Sequence, residues 1–376
     1  MMTVAYLVFV ACALGLAHVF VGYPLWVAAL ARWWPRRVRS QAWAPRVTAV
    51  VAVHDGASHI EAKLAGLLAL DYPRGLLDVV VACDGCTDDT AARCRRLGDE
   101  RIRVLEFDVR RGKAACLNDA VAQARGEVLL MTDVRQRLEP DALLRLVANL
   151  GDPAVGAVSG ELRLFDAQTG FARGIDAYWR YEKLIRRAES RSGSVVGVSG
   201  ALYAIRRELF RPLPPGTVLD DVLVPMQVAA AGRRVVFEPQ AVAWDGTSQQ
   251  PQEEQRRKIR TLAGNYQLVQ LAPWLLLPWR NPLWFRFVSH KLLRLLAPWL
   301  LLGLALAAAL LATRHTLFAA ITLALAAALA AVIVGRHLPS LGGRLPVRLL
   351  TAFCYLNLFA AQALVAFARN RRLHLW

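Results

Sequence analysis

The sequence predicts an α/β domain built on a mainly parallel sheet and flanked by transmembrane helices. Three observations carry that expectation. Strand-like apolar runs alternate with helical stretches from Arg46 to residue 159. Strongly apolar segments collect before residue 31 and after residue 270, with a more polar middle between them. Residues 128–131, VLLM, form an unbroken apolar run that ends on Thr132 and Asp133. Regular alternation argues for a parallel sheet with helices on both faces. A continuous apolar run suits a central strand covered on both sides.

In chain order, residues 1–31 read as an N-terminal anchor. The run 4–30 is interrupted only by His18 and Pro24, and it is long enough to cross about 30 Å of hydrocarbon. No Lys or Arg precedes it, whereas Arg32, Arg36, Arg37 and Arg39 follow. A cleaved signal peptide has a basic start and a short core, and this run has neither. The positive-inside bias therefore puts the middle of the chain, residues 46–250, in the cytoplasm. There, strands are expected at 47–53, 77–82, 102–106, 128–131 and 155–159. Helices are expected at 58–70, 88–97, 112–124 and 140–150. The second half is less regular. Residues 171–189 are amphipathic, 199–205 read as a strand, and 220–231 read as a helix opened by Asp220 and Asp221. Short strands follow at 235–237 and 241–244, then a basic helix at 253–271. Residues 251–288 form a basic and interfacial stretch, rich in Trp and Arg near its end. Residues 289–376 hold about three further spans, at 292–312, 316–334 and 349–367. Three later spans put the C-terminus outside. Arg369, Arg371 and Arg372 after the last run oppose that placement, and a segment that only lies on the membrane would reconcile the two.

The 376 residues carry a formal charge of +17 and are 56% hydrophobic. An anionic partner is implied. With membrane segments present, Arg at the cytoplasmic face accounts for much of the excess. No basic stripe is interleaved with exposed aromatics, so nucleic acid is not expected as a partner. Cys83-x-x-Cys86 has no matching second pair, and the six cysteines read as thiols of a reducing compartment.

Several residues are placed for chemistry. Ligands of open α/β sheets sit beyond the carboxyl ends of the strands, where Asp84 and Asp133 fall. Asp84 can accept hydrogen bonds from a base or ribose, and Gly85 lets a ligand approach the backbone. The alternative is an ordinary acidic strand-to-helix turn. Asp133 can hold a divalent cation that in turn holds a phosphate, or it caps a turn. Arg111-Gly112-Lys113 opens a helix and offers a phosphate site, or a solvated lysine. Asp220-Asp221 can remove a proton from an incoming hydroxyl if one stays ionised, or serve as a double N-cap. Arg256, Arg257, Lys258 and Arg260 can grip a pyrophosphate or face lipid headgroups.

Taken together and in this order, the strand-end DGCTD, the GKAACLN helix, the TD followed by EPDAL, the later acid pair and the basic helix are specific. The chain resembles the family 2 glycosyltransferases over roughly residues 46–270, and in particular bacterial inner-membrane sugar transferases of surface-polysaccharide synthesis. The resemblance implies a GT-A nucleotide-sugar-binding fold, Rossmann-like, and an inverting transfer of a hexosyl or N-acetylhexosaminyl unit. Under it, Asp55 and Asp84 contact the nucleoside, and Asp133 is the first acid of the DxD motif, reaching Mg²⁺ or Mn²⁺ and the donor phosphates. Lys113, Arg135, Arg257, Lys258 and Arg260 also belong to the donor side. Asp221 is the general base, and Gly200, Asp220 and Thr261 lie on the acceptor side. The implied partners are a UDP-linked sugar, a lipid-linked or glycan acceptor and the lipid bilayer.

Three departures from the family pattern stand out. Asp55-Gly56 replaces the usual Asn-Glu, Arg135 replaces the second acid of DxD, and Thr261 replaces the tryptophan of QxxRW. Loss of that tryptophan removes a plane on which a sugar stacks, so addition of one or a few sugars is expected rather than a long polymer. Tyr178, Trp179, Tyr181 and Trp244 are the aromatics that can substitute. Two further readings stand beside this one: transfer to polyprenyl phosphate, and a non-catalytic nucleotide- or glycan-binding scaffold of an export complex.

Overall fold

A computed structural model describes residues 2–165, 170–246, 251–369 and 373–375, with the side chains of 170–178, 251–254 and 339 left aside. Arg371 and Arg372 lie outside the described residues. The N-terminal anchor is α1 (Met2–Ala17) and α2 (Tyr23–Trp33), joined through a π-helical turn at His18–Gly22. The first half of the domain runs β1 (Val47–Val53), α3 (Ala57–Leu68), β2 (Leu77–Asp84), α4 (Thr90–Arg96), β3 (Ile102–Phe107), α5 (Lys113–Ala122) and β4 (Val128–Met131). Next come β5 (Arg137–Leu138), α6 (Ala142–Leu150), β6 (Val155–Leu164), α7 (Gly170–Ser192) and β7 (Tyr203–Arg206). The domain ends with α8 (Asp220–Ala230), β8 (Arg234–Asp245) and α9 (Pro251–Leu271).

These strands form one eight-stranded sheet, in the order β3-β2-β1-β4-β7-β6-β8-β5. The strands β3, β2, β1 and β4 are parallel, as are β6 and β8, while β7 runs against both of its neighbours. Every residue of β1 and β4 is buried, as their unbroken apolar sequences require. Alternate side chains serve two cores. Val50 and Ala52 join Leu117, Leu129 and Val222 on one face. Ala49 and Val51 join Leu64, Leu130 and Leu146 on the other. The chain steps outward from β1 to β2 and β3, then returns to place β4 on the opposite side of β1. That reversal opens a crevice at the carboxyl ends of β1, β2 and β4.

Two expected strands differ. The strand expected at 199–205 runs instead from Tyr203 to Arg206, because Ser199-Gly200-Ala201-Leu202 closes into a tight turn, Leu202 N donating to Ser199 O at 3.0 Å. The two short strands at 235–237 and 241–244 are one strand, β8. Its register against β6 jumps between Ser159 and Glu161, an irregularity that absorbs Pro239, which has no N–H for the ladder.

After the domain come α10 (Trp284–Phe287), a π-helical turn at Val288–Leu292, α11 (Leu293–Ala312), α12 (Thr316–His337), α13 (Pro339–Gly342) and α14 (Leu345–Arg369). Among the described residues, four helical stretches are long and apolar enough to cross a membrane: Met2–Trp33, Trp284–Ala312, Thr316–His337 and Leu345–Arg369. Their packing sets them apart. Tyr6 and Phe9 of α1 meet Phe318 at the start of α12, at 5.5 and 4.9 Å. The far end of α12 is then about 33 Å of helix closer to the sheet domain. There Gly335 packs on Gly342, so α14 begins on the domain side. Phe353 of α14 meets Phe20 beside α7. Further along, Phe367 stacks on Tyr266 of α9 at 5.8 Å, and Ala363 and Leu373 share a cluster with Ala263. The second half of α14 thus lies along a helix of the domain. The expected topology is three crossings and one surface-lying helix, with the C-terminus on the side of the domain. Reporters fused after residue 376 and inserted at residue 160 should then report the same side. Opposite sides would mean that α14 crosses.

Candidate active site

The crevice gathers residues from five elements. Asp84, the last residue of β2, is fully buried. Its carboxylate accepts the backbone N–H of Arg111 at 2.7 Å and of Gly112 at 2.8 Å. A residue read as a nucleoside contact therefore also clamps the start of α5. Gly85 has φ +57°, and a Cβ there would sit 2.5 Å from the Arg110 nitrogen, so only glycine fits the turn. Asp55 is exposed, with φ 48°. It accepts Thr87 N at 2.7 Å and Thr87 Oγ1 at 3.1 Å, which holds its carboxyl below the usual range. Asp55 and Asp88 tie the β1 and β2 loops together, since Asp88 accepts Ala57 N at the start of α3.

Lys113 opens α5 and reaches across the crevice. Its Nζ lies 2.8 Å from Asp133 Oδ1, beyond β4, and 3.3 Å from Asp220 Oδ2, at the start of α8. Burial works against the charge, but Asp133 and then Asp220 outweigh it and hold the ammonium above its ordinary range. Leu219 is the N-cap residue of α8, and no side chain caps that end. Asp220 and Asp221 therefore occupy the first turn of the helix rather than capping it. Burial raises the Asp220 carboxyl, against the pull of Lys113. Burial and then the Asp220 charge push Asp221 up to about 6, against Lys113 and Lys291.

Gly200, at the tip of the 199–202 turn, faces this group. A Cβ on it would lie 3.5 Å from both Asp133 Oδ2 and Lys113 Nζ, and 4.0 Å from Asp221 Cβ. Asp133 Oδ1 takes Lys113, while Oδ2 faces Gly200. A carboxylate oxygen presented this way is the hard donor that Mg²⁺ and Mn²⁺ prefer, so the residues fit such an ion. Arg135 turns elsewhere. It pairs with the buried Asp245 at the end of β8, at 2.9 Å, and Gln136 donates to the same carboxylate at 2.9 Å.

The basic helix divides. Arg260 donates from Nε to Leu373 O at 3.0 Å. Burial lowers its basicity, partly offset by the charges of Asp220 and Asp133. Arg257 lies 3.9 Å from Asp245, and Lys258 is half-buried on the same helix. Thr261 is exposed, its hydroxyl bonded one turn back to Arg257 O at 2.9 Å. It is not among the residues gathered round Lys113. Trp244 stacks on Phe165, and the side chain of Tyr178 lies outside the described residues.

Sequence reasoning missed four residues. Lys63 is buried beneath the Asp133 turn and donates to Thr132 Oγ1 at 2.6 Å and Gln136 O at 2.8 Å. Burial pulls it down to about 7, against Asp133 and Asp245. Its signal was a lysine on the apolar face of α3 set by Ile60, Leu64 and Leu67. Tyr203 is buried, and its hydroxyl has no hydrogen-bond partner among the described residues. Burial, then Asp220 and Asp221, raise it. Asp245 and His374 gave no local signal. His374 comes from beyond α14 and packs against Gly112 and Gly216.

A family model, "Glycosyltransferase like family 2", matches residues 45–264. The poly-beta-1,6-N-acetyl-D-glucosamine synthase of Staphylococcus aureus (strain COL) is 24% identical over 205 residues, which are 53% of this chain and 49% of that protein. The enzyme of the same name from Staphylococcus epidermidis is 22% identical over the same shares. The match thus spans about half the length of these relatives. A mannosyltransferase from Pyrobaculum calidifontis, solved in complex with GDP-Man and Mn²⁺, is 28% identical. It superposes with a TM-score of 0.72 over 96% of this chain and 99% of its own.

Gly200→Ala tests whether this crevice is a working site. The added methyl meets ordinary contact distances, so the variant should fold and melt like the parent. It would nonetheless fill the space between Asp133, Lys113 and Asp221. Turnover is expected to drop at least about tenfold, equivalent to ~1.4 kcal/mol in the barrier. Unchanged turnover in a normally folded variant would place the reaction elsewhere.

Proposed function

The chain belongs to glycosyltransferase-like family 2, and from that premise we propose that it is a membrane-bound, inverting hexosyl- or N-acetylhexosaminyltransferase. Its donor is a nucleotide-diphosphate sugar and its acceptor the hydroxyl of a lipid-linked or glycan molecule. The observation that carries this reading is the group Lys113, Asp133, Asp220 and Asp221 around the open face of Gly200. A UDP-linked donor follows from the sequence resemblance. The Pyrobaculum mannosyltransferase was solved with GDP-Man, so a donor screen must include both nucleotides.

The acceptor hydroxyl gives its proton to Asp221 and attacks the anomeric carbon. The new C–O bond forms as the bond to the diphosphate breaks, and that electron pair leaves with the nucleoside diphosphate. Lys113 and Arg260, the cations that feel both Asp133 and Asp220, meet the growing negative charge. Asp133 would hold Mg²⁺ or Mn²⁺, which supplies further charge neutralisation to the leaving group. Lys63 fixes the turn that carries Asp133. With no tryptophan at Thr261, the product is one or a few added sugars.

Asp221→Asn keeps the shape and removes the base. General-base catalysis contributes about 10²–10⁴-fold, so turnover should fall by that order while donor binding, measured by calorimetry, survives. Near-parental turnover would exclude the role. The base works only when ionised, and Asp221 is pushed up to about 6. Activity should therefore fall as pH drops through about 6, and this acid limb should vanish in Asp221→Asn.

Removal of metal gives a separate reading. Excess chelator should lower turnover partly, with recovery on adding Mn²⁺ or Mg²⁺. Full activity in chelator would mean that Lys113 and Arg260 suffice for the leaving group.

A further inference from the structure

The stretch Arg286–Arg294, where the second apolar segment leaves the domain, carries five polar side chains. Four are tied down. Arg286 donates to the carbonyls of Glu189, at 2.7 Å, and Ser194, at 2.8 Å. Ser289 bonds His18 at 2.9 Å. His290 lies between Glu189, at 2.8 Å, and Glu182, at 3.0 Å, and Arg294 pairs with Glu182. Tyr23 donates to the same Glu189 oxygen that meets His290. The fifth, Lys291, has no hydrogen bond or ion pair within 4.0 Å among the described residues. A charged residue inside an apolar span is costly unless it has a task. Lys291 also sits in a π-helical turn, a distortion that often re-aims a side chain at a functional site.

Lys291 points at the active site. Its Nζ would lie 3.8 Å from a Cβ on Gly197, a point 3.5 Å from the Asp221 carbonyl. Arg186 of α7 reaches the same place, 3.3 Å from Gly197 O. Three residues on, Gly200 faces Asp133 and the Asp221 side chain. The 197–200 segment therefore runs from a cationic end beside the membrane helix to the carboxylate end of the crevice. Three residues span at most about 10 Å. Glu182 and Glu189, the other acids facing Lys291, already have closer cations or donors. A phosphate carried by a lipid would be the natural complement to the Lys291 charge.

We infer that Lys291, with Arg186, binds the phosphate of a lipid-borne acceptor whose sugar hydroxyl reaches Asp221. This rests on the transferase reading and names the acceptor class, a polyprenyl-phosphate- or polyprenyl-diphosphate-linked sugar. The test uses the full-length protein in nanodiscs, with Lys291→Met and Lys291→Arg, each first shown to melt like the parent. Two acceptors carrying the same sugar are compared, one on polyprenyl diphosphate and one on an uncharged dialkylglycerol. In Lys291→Met the ratio of kcat/KM for the charged acceptor over the uncharged one should fall at least about tenfold, or ~1.4 kcal/mol. Lys291→Arg should restore part of that ratio. An equal loss on both acceptors, or a shift of the acid limb alone, would make Lys291 a group that tunes Asp221 and would overturn the inference.

A binding arm needs no turnover. Polyprenyl phosphate in phosphatidylcholine nanodiscs should bind the parent more tightly than Lys291→Met. Equal binding of the two proteins, or equal competition by phosphatidylglycerol, would make Lys291 unspecific for the acceptor and would also overturn it. A parent that glycosylates neither acceptor but shows the binding difference would count against the transferase reading, not against the phosphate site.

Discussion

The ammonium of Lys113 is the contact on which the crevice depends. Asp133 arrives from the end of β4, and Asp220 and Asp221 from the start of α8. Three carboxylates so close in a partly dry site repel one another, and each resists leaving water. One cation between Asp133 and Asp220 makes the arrangement possible. The backbone is built to deliver it. Asp84 takes the two amides that open α5, so the helix starts where Lys113 can span the crevice. Removing one partner of such a group leaves a buried charge uncompensated, which costs far more than the pair contributes.

The same balance explains the departure at Arg135. A basic residue two positions after Asp133 looks like a threat to a cation site. The structure sends it out of the crevice, to Asp245 at the end of β8. Asp245 also takes Gln136 and lies near Arg257. Beneath the turn, Lys63 ties Thr132 to the Gln136 carbonyl. The Asp133 turn is thus held from below and from the side, and its carboxylate is left facing Lys113 and Gly200.

Domain and membrane helices are joined by more than a linker. Glu182 and Glu189 of α7 are buried or nearly so, and each meets His290 at the entry of the second apolar segment. Buried ion pairs contribute little net stability but fix one geometry. Here they set the height and rotation of the helix that carries Lys291. On another side, α14 packs along α9, and the residues after it bring Leu373 O to Arg260 and His374 to Gly112. Chain segments from both ends of the membrane part therefore touch elements that shape the crevice.

The sequence by itself determined the elements whose signal is local. Unbroken apolar runs located β1, β2 and β4, and strand-end acids located Asp84 and Asp133, because burial on both faces and a ligand-facing turn each leave a mark within a few residues. The apolar segments were equally plain. Only the tertiary structure decided which groups meet. The Lys113 bridge to Asp133 and Asp220 links positions up to 107 residues apart, and nothing in a linear pattern reports such a distance. Lys63 and Asp245 were not singled out in the sequence, and only packing shows them buried beside the Asp133 turn. Thr261 reads as an acceptor-side residue by its place in the motif order, and the structure adds that helix phase leaves it exposed. Length and apolarity mark α14 as long enough to span a membrane. Its packing along α9 was decided only by the tertiary structure, because the partner residues lie far away in the chain.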